Sequence, residues 1–179
     1  MKLSTLSVVL GIVMALPQIF GLLKPAAFAQ AVRGFPRSEN WGYLLMGVGT
    51  CWFLWNLNRE SISDFANYKT LMLSGFGLIG ILTCIYVRDF LAVRGLAVVL
   101  LLLAWFTLNT ARWAPSQWRL VLVVLAYCWV IAGIWFTVSP WRLRDLLYAA
   151  TADPKRIRVG SAVRLGLAIL ILLLGVLVF

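Results

Sequence analysis

Glu39, Glu60, Asp64, Asp89, Asp145 and Asp153 are the six acids of this 179-residue chain, which contains no histidine. Any acid–base chemistry would rest on them. The imidazole that serves as general base, haem ligand or catalytic-zinc ligand is missing. Glu60 and Asp64 stand one helical turn apart, a spacing that can bring two carboxylates together as acid and base. Their neighbours are polar, however, so they read as solvated charges at the start of a helix. Asp89 follows Arg88, and Asp145 follows Arg144, which suggests local charge pairing. Cys51, Cys84 and Cys128 lie inside apolar runs at no metal-binding spacing and read as small packed hydrophobes. Phosphate loops and nucleophile elbows are also absent. The sequence therefore predicts no catalytic residue, no cofactor and no metal. An enzyme acting on lipids through Asp89 or Asp145 is the weakest of the functional readings.

The elements that would have to position such groups belong to a membrane protein. With 63% hydrophobic and 12% charged residues, the chain has too little polar surface to clothe a water-soluble globule. Apolar runs cover about 6–23, 41–57, 70–87, 95–109, 120–138 and 162–179. Several are near or just under the roughly 20 residues that cross a bilayer, with flanking residues to extend them, and each is expected to be a helix, the form that satisfies every backbone group in lipid. The expected fold is all-α: one integral membrane domain over 1–179, a polytopic bundle of six spans.

The formal net charge of +10 is topogenic in this reading. Its cations flank the apolar runs, without the separate basic domain that nucleic acid would need. Between spans 5 and 6, the segment 139–164 holds Arg142, Arg144, Lys155, Arg156, Arg158 and Arg164. Such a cluster resists translocation and marks the cytoplasmic side. Its first part reads as a short interfacial amphipathic helix, with Ser139 capping, Pro140 at the first position, and Leu143, Leu146, Leu147 and Ala150 on one face. A second surface helix is expected over 25–33, stopped by Gly34. These basic residues are the candidate contacts for anionic lipid or a partner subunit.

Ala27-Phe28-Ala29 before Gln30 resembles a signal cleavage site, but charge argues for retaining the first span. With six spans, Lys24, Arg33, Arg37, Arg88, Arg94 and the six cations above share one side, eleven in all. Lys2, Arg59, Lys69, Arg112 and Arg119 take the other. Both termini are then outside, and the expected home is a bacterial inner membrane.

Within the spans, Pro17 should kink the first helix and is a candidate hinge, with Gln18 beside it. Gln18, Asn56 and Asn109 are the candidate solute contacts if the chain forms a pathway for a neutral or lipid-like solute. Ser61 and Asp64 resemble a capping box that would start the third helix near Ile62. Ser74, Gly75, Gly77 and Gly80 would let another helix approach closely. The last run, almost purely aliphatic, suits a helix facing lipid or a partner. Trp41 with Cys51-Trp52 recurs in spacing as Trp118 with Cys128-Trp129, a faint hint of inverted repeats over spans 1–3 and 4–6.

With no ionisable group at any span centre, the leading expectation is a non-catalytic polytopic protein. It would be an accessory or structural subunit of a larger membrane complex. A small transporter or channel is the alternative.

Overall fold

A computed structural model describes residues 2–60 and 67–179. It is all-helical among them. The helices are α1 (Leu3–Leu23), α2 (Pro25–Gly34), α3 (Glu39–Arg59), α4 (Lys69–Tyr86), α5 (Leu91–Arg112), α6 (Arg119–Val138), α7 (Trp141–Ala150) and α8 (Pro154–Leu177). A 3₁₀ turn, Phe35–Arg37, links α2 to α3. The expected capping box at Ser61 and Asp64, and the helix start at Ile62, lie outside the described residues.

Five helices, α1, α4, α5, α6 and α8, are long and apolar enough to cross a membrane. The expected span over 41–57 is helical within α3, but that helix is not among the five. Its glycines, tryptophans and asparagines dilute its apolar character. Further along, α8 begins at Pro154, well before residue 162, so Lys155, Arg156, Arg158 and Arg164 ride on a helix and not in a loop. The signal was present in the sequence. Asp153 caps the helix by accepting from the Lys155 N–H at 3.0 Å, and Pro154 fits the first helical position. Ser139 does not cap α7; it ends α6, and Pro140 stands at the N-cap.

Small residues set the packing. α1 and α8 lie antiparallel along their length. An added Cβ would meet Leu172 Cβ at 2.7 Å from Gly11, Ser161 Oγ from Gly21, and Ser7 Cβ at 2.8 Å from Gly175. Thus α8 buries Ile157, Ser161, Ala168, Ile171, Leu174 and Gly175, and the expectation of a wholly lipid- or partner-facing last helix is corrected. Across the second group, α5 runs parallel to α3, with Gly42 against Leu91 and Gly49 against Val98. Helix α6 returns antiparallel on α5, where Gly133 faces Leu101. On the other side of α3, α4 packs antiparallel through Gly80 against Thr50 and Phe76 against Phe53. Gly77 and Gly80 therefore find their neighbour within the chain, while Gly75 has no atom within 4 Å of its Cβ position.

The two groups meet at one end, and a second cluster closes the other end of the α3–α6 group. Leu3, Leu6, Leu10, Ala111, Leu122 and Ile171 make one apolar cluster. Val93, Ala97, Phe136 and Leu143 make the other, with Phe35, Phe90 and Leu147 packed against it. This second end gathers α2, the 3₁₀ turn, the α4–α5 turn and α7. The turn is tight because Phe90 adopts φ 55°, ψ 31°, the left-handed region.

Cys51 and Cys128 are exposed on their helices and Cys84 is partly so, which corrects the expectation that all three are packed. Nor does the packing repeat internally. α5 and α6 pair lengthwise, whereas α1 pairs with α8 and not with α3.

Candidate functional site

The end formed by α2, the 3₁₀ turn and α7 holds a network of polar contacts between distant segments. Pro25 opens α2, whose face carrying Phe28 turns inward. Arg33, in its last turn, reaches α7: Nε–H donates to Thr151 Oγ1 at 2.8 Å, and Nη2–H to the Thr151 carbonyl at 2.6 Å. That carbonyl lies just past the last turn of α7, where helix acceptors lack partners, so the guanidinium acts as a C-terminal cap from another helix. The same guanidinium lies 5.2 Å over the Tyr148 ring. Nearby, Arg144 donates through Nε and Nη2 to Asp145 Oδ1 at 3.0 and 2.8 Å, and stands 5.9 Å over the Phe90 ring. Three stretches distant in sequence are thereby tied together.

Two clefts flank the Arg33–Thr151 contact. The first, about 350 Å³, is lined by Arg33, Pro36, Arg37, Arg144, Asp145 and Tyr148. The second, about 210 Å³, has an apolar floor that includes Phe28, Val32, Leu147 and Ile157, with Arg156 and Arg164 at its rim. Arg164 folds back toward the start of α8, its Nη2 lying 3.8 Å from the Cβ position of Gly160. A long cationic side chain on an apolar helix reaches in this way for the more polar end.

Of the six basic candidates, then, Arg144 lines the first cleft and Arg156 and Arg164 the second. Arg142, Lys155 and Arg158 are exposed on the same two helices. In the sequence Arg33 and Arg37 read only as topogenic charges, and Tyr148 does not stand out. Nothing local signals them, because their placement depends on α2 touching α7.

The candidate solute contacts separate. Asn56 and Asn109 line one cavity of about 480 Å³ between α3 and α5, together with Arg59, Glu60, Trp105 and Trp113. Asn56 also lines an adjoining, mostly apolar cavity of about 420 Å³. Gln18 lies instead on α1, which packs on α8; its Oε1 is buried with no hydrogen-bond partner among the described residues. The α1 helix continues through Pro17. Of the carboxylates, Asp145 is ion-paired and Asp89 exposed, and Asp64 lies outside the described residues.

No protein-family model matches the chain, and no curated protein or solved structure matches it significantly.

Proposed function

We propose that this is a non-catalytic polytopic membrane protein, an accessory or structural subunit that lends helices and a basic face to a larger assembly. In this reading all six long helices, α3 included, cross the bilayer of a bacterial inner membrane. Both termini are outside, and the α2–α7 end is cytoplasmic with the surface helices at the interface. Taken in chain order the long helices alternate in direction, and the cations divide eleven to five between the two ends, which supports that orientation.

The observation that carries the subunit role is the state of α4. Among the described residues its main packing partner is α3; it buries none of its residues and leaves Gly75 facing open space. Small residues on a free flank favour close helix–helix approach in lipid. The test is purification in mild detergent with and without Gly75→Trp, a change that costs little inside this chain. Recovery in a stoichiometric complex that the substitution releases is expected. A stable, partner-free monomer would overturn the reading.

A second reading, a small transporter or channel for a neutral or lipid-like solute, is favoured by the cavity that Asn56 and Asn109 share. Solute flux in vesicles lost on Asn56→Leu would move the assignment there.

A further inference from the structure

We propose that the cleft between the 3₁₀ turn and α7 binds a phosphoryl group, and that its occupant is the headgroup of an anionic phospholipid in the cytoplasmic leaflet. The proposal deepens the reading above and rests on its orientation. Three guanidinium groups, from Arg33, Arg37 and Arg144, face one carboxylate, Asp145, in a space of about 350 Å³. Guanidinium forks match phosphoryl oxygens in pairs, so an arginine-lined concavity favours that chemistry over a simple point charge.

Two of the three are already held. Arg33 is fixed by Thr151 and by the Tyr148 ring, and Arg144 by Asp145 and the Phe90 ring. Both use Nε and Nη2 in those contacts, so the Nη1 groups are not engaged by them. Fixing the side chains beforehand lowers the ordering cost that binding would otherwise incur. Asp145 holds one arginine without neutralising the set, and two positive charges remain in excess.

A lipid suits the surroundings better than a soluble phosphate. Tyr148 lines the cleft and is exposed, the exposed Trp41 stands 6.3 Å from Phe35 of the 3₁₀ turn, and the exposed Trp141 opens α7; such side chains are expected at headgroup level. The neighbouring cleft places Arg156 and Arg164 above an apolar floor, a surface that accepts both charge and acyl chain.

The test uses the full chain in phosphatidylcholine nanodiscs titrated with phosphatidylglycerol, with retained lipid counted by native mass spectrometry. R37Q/R144Q is compared with K24Q/R88Q, which removes the same charge from the same end without touching the cleft. The cleft pair should bind at least about tenfold more weakly than the control pair, because paired hydrogen bonds are lost on top of long-range attraction. Equal weakening of both pairs, or none, overturns the proposal. Inorganic phosphate or glycerol phosphate that displaces the lipid at comparable concentration overturns the lipid assignment. If R37Q/R144Q loses helicity, R37K/R144K serves instead: it keeps the charge, removes the forks, and should still bind more weakly than wild type. Accessibility labelling of the same preparations separates the two failures. Correct orientation without a cleft effect sinks the site alone, and reversed orientation sinks the reading on which it rests.

Discussion

Arg33 of α2 donates two hydrogen bonds to Thr151, one to its hydroxyl and one to its carbonyl, across 118 residues of sequence. Thr151 is buried, and its hydroxyl also donates to the Leu147 carbonyl at the end of α7. Removing the guanidinium would leave the Thr151 carbonyl without its donor and take one bond from a hydroxyl that keeps its contact with Leu147. Arg33→Ala should destabilise the chain by about 1–3 kcal/mol, and Arg33→Lys should recover little, since an ammonium cannot reproduce the fork. Thermal unfolding in detergent measures this. An unchanged midpoint would show that the contact is incidental.

Gly11 should be the least replaceable of the glycines in α1. An added Cβ meets Leu172 Cβ at 2.7 Å and the Ala168 carbonyl at 2.9 Å, so one methyl must push α1 and α8 apart. Gly11→Ala is expected to cost about 1–3 kcal/mol. Gly47→Ala, with nothing within 4 Å, should be neutral or stabilising by up to about 1 kcal/mol. Comparing the two variants by detergent unfolding separates packing from helix propensity.

Phe90 combines a left-handed backbone with packing against Val93 and its neighbours and a cation–π contact. An L residue in that region costs about 1–2 kcal/mol, which glycine does not incur. Both truncations lose the ring, but Phe90→Gly should be about 1 kcal/mol more stable than Phe90→Ala, the reverse of the usual helix order. The opposite ranking would argue against the turn geometry.

Thr107 is fully buried, and its Oγ1 has no hydrogen-bond partner among the described residues. Thr107→Val keeps the shape and removes the stranded hydroxyl. It should leave stability unchanged or raise it by about 1 kcal/mol. A marked loss would mean that a bound water or ligand satisfies the group.

Orientation is checked with single cysteines in a cysteine-free background. A probe at Arg156 should react with impermeant maleimide only from the cytoplasmic side, and one at Ser116 only from outside.

Much of this architecture is legible in residue order. The apolar runs specify the helices, Pro25 and Gly34 bound α2, and Asp153-Pro154 starts α8, although the basic residues after it read at first as loop. The pairing of helices is not legible, because a small residue signals close approach without naming its neighbour. Gly21 and Ser161 find each other, as do Gly42 and Leu91, only once distant segments are placed. The clefts were hidden for the same reason: Arg33, Arg37 and Arg144 converge through a contact between α2 and α7 that no local pattern encodes.

Because α1 is zipped along α8, α1 leaves the ribosome well before its main partner, with α3 to α6 made in between. Until then its notches at Gly11 and Gly21 stay unfilled in the lipid. A chain interrupted before residue 154 would leave that surface open, the kind of exposed packing face that makes partly folded chains prone to misassembly.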